Sequence, residues 1–298
     1  MRPVARQRSE ARYAIGLTPQ QKQDQEKQPP RASVAVVSHN RVELLERCLK
    51  SLEGSEGRET IQVIVVDNGS RDGSAELEAR FPGVQFIKLP KNFGLTKALN
   101  LGWRAADAPY VLFLHDDTEV EPGTVLRLAE ALDANPDAGA VCPLLVDDEG
   151  RPAPQLGGLP PSGEWHPAEE SASGPAAVEY PRGAALMMRV YLIKAIRQID
   201  ERYGQFGADA DLAAQIRRGG KKILLIPTAR VRHQGRGEYT AFERADFLLG
   251  RAVFLGKYQG FGAGMKARIA AVFGPLFGFR FGELKYTVAG QKIDGTQA

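Results

Sequence analysis

Ile61-Gln-Val-Ile-Val-Val-Asp67-Asn68-Gly69-Ser70 is a β-branched, apolar run that stops abruptly on a carboxylate and a turn. A run this short, bounded by turn residues, reads as a buried strand. The same pattern lies on both sides of it. Upstream, Ser33-Val-Ala-Val-Val-Ser38 is another such run. Asn40 and Glu43 then form a capping-box pair for a helix whose inner face is Val42, Leu45, Leu49 and Leu52. Downstream, the spacing predicts a short helix over 75–81, a strand over 84–88, a helix over 96–106 and a strand over 110–114 running into His115-Asp116-Asp117. Pro122 suits the first turn of a further helix, and 139–145 reads as a fifth strand. Strands alternating with helices argue for an α/β fold with a mostly parallel, doubly wound sheet flanked by helices. Ligands bind outside the carboxyl ends of the strands in such sheets, which is where Asp67 and Asp116-Asp117 fall. A lone Asp after a strand is commonly a turn residue. Two at neighbouring strand ends weigh towards a cleft.

Residues 147–180 break this rhythm with Pro, Gly, Glu and Ala around Trp165 and His166, and read as a long functional or mobile loop. Beyond it the pattern gives a strand at 186–189, a helix at 191–198, a helix at 209–218, a strand at 222–226 and a short edge segment at 230–233. From 238 onward the sequence reads as helical. The expected organisation is a basic, disordered tail over 1–31, a catalytic-type domain over 32–236 and a helical C-terminal extension over 237–298.

With 43% hydrophobic and 25% charged residues, the 298-residue chain is neither collagen-like, coiled-coil nor wholly disordered. The net charge of +3 conceals a division. Lys and Arg exceed Asp and Glu by seven to three in residues 1–31, trail by 21 to 28 in 32–229, and lead by 11 to five in 230–298. An acidic central domain disfavours nucleic acid as a partner. Cys48 and Cys142 lack metal-type spacing and suit small buried positions in a reducing compartment. The first 31 residues lack the apolar core of a secretory signal. The apolar stretch 269–279 is broken by Gly274 and Pro275, too short to span a bilayer. The position after the first strand, Ser38-His39-Asn40-Arg41, has no glycine, which excludes a dinucleotide fingerprint. Neither a P-loop nor a Gly-x-Ser-x-Gly elbow occurs.

Four stretches together resemble the family 2 glycosyltransferases of GT-A fold, and within them the bacterial rhamnosyltransferase-like branch. They are 36–45, Val65 to Ser74 with Asp67-Asn68-Gly69, Asn92-Phe93-Gly94 followed by 98–102, and the distal pair 204–218 and Val231-Arg232-His233. The resemblance spans about 33–258. It implies an inverting transfer from a nucleoside diphosphate sugar, TDP-rhamnose or a UDP-sugar, to a hydroxyl of a glycan or lipid-linked acceptor in cell-surface polysaccharide assembly.

The same resemblance implies residue roles. Asp67 falls where the family contacts the nucleotide base. Asp117 falls on the last position of the Asp-x-Asp motif, and with His233 forms the expected site for Mg²⁺ or Mn²⁺. Ser38, Asn40, Asn68, Asn92, Gly94, Lys97, His115 and Asp116 belong to the donor side. Asp116 ranks below Asp117, because a continuing strand pleat would turn it to the opposite face. Asp209 matches the catalytic base, with Asp211 as fallback. Trp165, Arg182, Gly183 and Ala184 fall on the sugar and acceptor cleft, Trp165 serving equally well to pin its loop. Two positions depart from the family pattern: His115 stands where relatives carry Asp or Asn, and Ala208 replaces the Glu before the base. A non-catalytic nucleotide-sugar-binding homologue acting as scaffold or regulator is therefore the alternative reading. The basic, Phe-rich C-terminal region, with Lys266, Arg268, Arg280 and Lys285 among its phenylalanines, suits either an anionic membrane surface or an ordinary helical cap. The expected location is the cytoplasm, including the inner face of the cell membrane.

Overall fold

The apolar runs pair side by side. A computed structural model describes residues 29–169, 174–235 and 238–293. Its first half runs β1 (Ala32–Ser38), α1 (Val42–Glu53), β2 (Ile61–Asp67), β3 (Val84–Lys88), α2 (Leu95–Arg104), β4 (Tyr110–His115), β5 (Thr118–Val120), α3 (Thr124–Ala134) and β6 (Ala138–Val146). Short strands follow: β7 (Pro154–Gly157), β8 (His166–Pro167), β9 (Ala176–Val178) and β10 (Tyr180–Pro181). Then come β11 (Ala185–Arg189), α4 (Val190–Ile196), α5 (Ala208–Arg218) and β12 (Lys222–His233). The chain continues through α6 (Ala241–Gln259), α7 (Phe261–Phe277) and α8 (Phe281–Ala289).

The main sheet has the order β3-β2-β1-β4-β11-β6-β12-β5. Strands β3, β2, β1 and β4 are parallel, as are β6 and β12, while β11 runs antiparallel between β4 and β6. Helices cover both faces, so the central strands are apolar on both sides. On one face Val34, Val36, Leu112 and Leu114 meet Leu45 and Leu49 of α1 and Leu128 and Leu132 of α3. On the other, Ala35, Val111 and Phe113 join Trp103 of α2 and Leu212 of α5. The alternation of neighbouring residues between the two clusters is the period of two that a strand imposes.

Several local expectations change. Asn40 does not cap α1: its side chain accepts a hydrogen bond from Arg71 N–H at 2.8 Å, and Val42 N–H donates instead to Asp72 Oδ2, also at 2.8 Å. The residue flanking α1 is Arg41, and the link to 70–72 outcompetes the local capping box because it ties two strand-end loops together. The capping box forms in α6, where Thr240 and Glu243 exchange side-chain and backbone bonds. Residues 147–180 are not one loop: β10, β7 and β8 make a small three-stranded sheet, and β9 pairs with β12. Residues 222–233 form a single strand with a register shift between Ile226 and Arg230, since the irregularity near Pro227 is absorbed without ending the pairing with β6. Of the tail expected over 1–31, residues 1–28 lie outside the described residues, whereas Arg31 is in the fold, its N–H donating to Thr60 O at 2.7 Å. Among the described residues no helix is long and apolar enough to cross a membrane.

One glycine fixes how the ends of β2 and β3 approach. Gly69 has φ +76°, and a Cβ there would lie 2.3 Å from the Lys91 backbone. Gly69→Ala therefore combines left-handed strain with a clash against main chain. It is expected to destabilise the fold by about 2 kcal/mol or more, read as a lowered urea midpoint at unchanged slope.

Candidate active site

Strand β4 ends at His115, and the chain turns at once into β5, with the Thr118 hydroxyl donating to His115 O at 2.7 Å. Because the pleat stops there, Asp116 and Asp117 do not point to opposite faces, which corrects the alternation expected from the sequence. Both line the same cavity, both are buried, and both accept from Arg41 Nη1, at 3.1 and 3.2 Å. Antiparallel pairing of β12 with β5 sets His233 opposite Thr118. That register brings His233 Nε2 to 3.4 Å from Asp117 Oδ1, with His115 Nδ1 at 3.7 Å from the same oxygen.

Donor atoms of His115, Asp117 and His233 all lie within 4.8 Å of one another. Two imidazoles and a carboxylate gathered this closely are donor types that a divalent cation takes. His115, expected on the donor side, thus joins Asp117 and His233 in this candidate cluster. Its spacing two residues before Asp117 is the signal that the sequence offered. Burial opposes ionisation of Asp117, but the hydrogen bond from His233 and the charges of His115, His233 and Arg41 outweigh it and hold this carboxyl well below the usual range. Asp116 moves the other way: burial, seconded by repulsion from Asp117, raises it despite Arg41. Arg41, which the sequence reading passed over, is the shared counter-charge.

These groups line one end of a cavity of about 540 Å³. Ser38 lines it too, buried at the end of β1 beside Asp116. Asn68 and Asn92 lock the adjoining loops: Asn68 Nδ2 donates to Asn92 Oδ1 at 3.0 Å, Phe93 N–H donates to Asn68 Oδ1 at 2.9 Å, and Gly94 N–H donates to Asn92 Oδ1 at 2.8 Å. Asn68, Asn92 and Gly94 border the cavity, whereas Asn40, Asp67, Lys97 and Ala184 do not. Asp67 is buried and accepts from Ser70 N–H at 3.1 Å, the turn-stabilising arrangement. Asn40 holds the 70–71 loop, and Lys97 is exposed on α2. Ala184 is buried, its carbonyl accepting from His115 N–H at 2.9 Å and so fixing the end of β4.

Asp209, in the first turn of α5, borders the same cavity. Its Oδ2 accepts from Gly183 N–H at 3.2 Å and its Oδ1 from Ala210 N–H at 2.8 Å. Burial raises its pKa, with the Tyr180 hydroxyl and these amides pulling partly back. Tyr180, buried beside Asp209, is a second residue that sequence reasoning missed. Its position two residues before Arg182 was the available clue. A Cβ at Gly183 would sit 3.0 Å from Asp209 Cβ, so only glycine lets the carboxylate rest there without displacement. Asp211 faces away: it takes bonds from Tyr258 OH at 2.8 Å, Gln215 Nε2 at 2.7 Å and Lys257 Nζ at 2.9 Å, and is not part of the cavity wall. Trp165 borders the cavity while packing on Tyr180, ring centroids 4.9 Å apart, with the Arg182 guanidinium 5.7 Å over its ring. Arg182 also donates to Tyr239 OH at 3.0 Å.

Residues 33–194, more than half the chain, match the family described as Glycosyl transferase family 2, and the chain belongs to that family. It is 28% identical over 230 residues to the N-acetylglucosaminyl-diphospho-decaprenol L-rhamnosyltransferase of Mycobacterium tuberculosis, covering 67% of this chain and 75% of the relative. A poly-beta-1,6-N-acetyl-D-glucosamine synthase of Staphylococcus epidermidis is 30% identical over 112 residues, 37% of this chain and 27% of the relative. Among solved structures, GalNAc-T7 with UDP, GalNAc and Mn²⁺ matches with a TM-score of 0.65 at 16% identity, over 89% of this chain and 57% of that one. S. aureus TarS in complex with UDP matches with a TM-score of 0.56 at 16% identity, over 76% of this chain and 65% of that one. The chain thus spans less than two thirds of either solved relative, and the likeness is one of fold: GT-A-like, with a C-terminal helical extension.

If both imidazoles serve the cation site, His115→Ala and His233→Ala should each weaken Mn²⁺ binding by at least about tenfold. Calorimetric titration of Mn²⁺ reads this directly, and unchanged affinity in either variant removes that ring from the donor set.

Proposed function

We propose that the chain transfers a sugar, with inversion, from a nucleoside diphosphate sugar to a hydroxyl of a glycan or lipid-linked acceptor during cell-surface polysaccharide assembly. One observation carries this reading. A cation-type His–Asp cluster and a carboxylate of raised pKa, Asp209, border the same cavity. TDP-rhamnose is the first candidate donor, supported by the L-rhamnosyl specificity named for the mycobacterial relative, and UDP-sugars come next.

His115, Asp117 and His233 would hold the divalent cation, which when bound screens the charge developing on the leaving diphosphate. Two imidazoles make a poorer match for Mg²⁺ than for a first-row transition ion such as Mn²⁺. Ser38, Asn68, Asn92 and Asp116 border the donor end, and Arg41 orients the two neighbouring carboxylates. Asp67 and Asn40 act behind the wall, shaping the turn against which the base would lie. At the other end Asp209 accepts the proton of the acceptor hydroxyl. The acceptor oxygen forms its bond to the anomeric carbon as the bond to the diphosphate oxygen breaks, and the nucleoside diphosphate leaves with the electron pair. A raised pKa makes Asp209 a stronger base, and the Gly183 and Ala210 amides aim it. Trp165 and Arg182 form the acceptor wall.

Calorimetry with UDP, TDP and GDP, with and without Mn²⁺, tests the donor site. Mn²⁺-dependent binding of one nucleotide that fails in Asp117→Ala is expected, and no binding of any would overturn the reading. Asp209→Asn is expected to slow transfer by about 10²–10⁴-fold with nucleotide affinity unchanged. A change within about twofold would exclude Asp209 as base, and binding without any transfer in the wild type would favour the scaffold alternative.

The pKa of Asp209 also has a sign. Being raised in the folded state, it leaves the ionised form costly, so the penalty is absent below the ordinary carboxylate range and complete once pH exceeds the raised value. Asp209→Asn should therefore raise the melting temperature at neutral pH, by an amount that shrinks on acidification. The acid limb of the wild-type pH–rate profile should lie above the ordinary Asp value of about 3.9.

A further inference from the structure

Helix α7 is apolar on the side it shows to solvent. Phe261, Met265, Ile269, Phe273 and Phe277 recur every four residues, and their exposures run from 44% to 79%. That spacing sets them along one broad face. The opposite side is packed, with Ala271 and Pro275 buried, and Gly264 so close to Gly256 of α6 that a Cβ would lie 2.6 Å from its Cα. The link into α8 adds Phe279 at 80% and Phe281 at 60% exposed. An apolar surface of this extent on a folded domain marks a partner.

Charge identifies the partner. Between residues 261 and 290 the cations are Lys266, Arg268, Arg280 and Lys285, and the one acid is Glu283. Glu283 is 1% exposed and engaged by Arg244 at 2.5 Å and Arg280 at 3.3 Å, so the outer face presents positive charge alone. A second copy of this face would set like charges against one another. The N-terminal residues 1–28, with six Lys and Arg against three acids, share its sign. At 17 residues α7 is too short to cross a bilayer, but aromatic and aliphatic residues interleaved with Lys and Arg are the composition of a helix lying in the headgroup plane.

We infer that α7 and the α7–α8 link dock this protein on an anionic lipid bilayer, with the exposed phenylalanines in the acyl–headgroup boundary. The location bears on the site, because Arg280, between Phe279 and Phe281, also borders the cavity that holds Asp209. Docking would bring that end of the cavity to the membrane surface, where the hydroxyl of a lipid-linked acceptor would be presented. This last step rests on the proposed transfer reaction, while the docking itself does not.

Sedimentation of the full chain with vesicles tests it. Binding to phosphatidylcholine vesicles containing phosphatidylglycerol, absent with phosphatidylcholine alone and weakened by salt, is expected. Phe273→Glu with Phe277→Glu should reduce vesicle affinity by about tenfold or more, and Lys266→Glu with Lys285→Glu by about fivefold or more per cation lost. Neither pair borders the cavity, so nucleotide binding and far-ultraviolet circular dichroism should match the wild type. Equal binding to neutral vesicles would overturn the inference. So would absence of vesicle binding, including the case where the chain is a dimer that Phe273→Glu with Phe277→Glu makes monomeric. Failure of vesicle binding with nucleotide binding intact removes the docking alone. Failure of nucleotide binding with vesicle binding intact removes the donor reading alone.

Discussion

Two carboxylates buried side by side at the end of β4 set the terms for much of this fold. Asp116 and Asp117 repel one another in a place from which water is largely excluded, so each must be compensated. Arg41 serves both from the start of α1, and His233 reaches Asp117 from the end of β12. Compensation thus requires the first strand–helix unit and the last strand to converge on one point. The sheet order, with β4 beside β1 and with β5 pairing back onto β12, makes that convergence possible. The cluster of His115, Asp117 and His233 stands at that same point.

The alternation of strand and helix, the parallel sheet and the strand-end carboxylates were legible because buried strands carry a compositional signature that needs no tertiary knowledge. That Asp117, His233 and Asp209 would border one cavity was legible from their positions in a family pattern. What escaped were contacts created by topology. Arg41 follows a turn and looks like any surface cation until β4 is placed beside β1. Tyr180 acquires meaning only when β10 and α5 are adjacent. The orientation of Asp116 was misread because the pleat was extended beyond the residue where hydrogen bonding ends. Asn40 was misread as a cap because its competitor, the 70–72 loop, is distant in sequence. Residues 147–180 carry too little apolar periodicity to announce the four short strands β7 to β10.

The first turn of α5 divides its two acids between different environments. Asp209 borders the cavity with its pKa raised by burial, whereas Asp211, two residues on, is fixed in the interior by Lys257 and Tyr258 of α6. Asp246, also on α6, accepts from the Gln205, Phe206 and Ile293 amides, at 2.8, 3.0 and 2.9 Å, and so holds the loop that delivers the chain into α5. Gly204 lies so close that a Cβ would fall 2.1 Å from Asp246 Oδ1.

Those anchors mean that the C-terminal helices are not an appendage to a self-sufficient catalytic unit. Ending the chain near residue 236 would strand Asp211 in the interior without its lysine and free the 204–206 loop from its carboxylate. Selection on whatever surface α6–α8 contact is therefore also selection on the placement of Asp209. Lineages that exchange this tail for another must redesign the underside of α5 in the same step, so the tail and the helix should be inherited together.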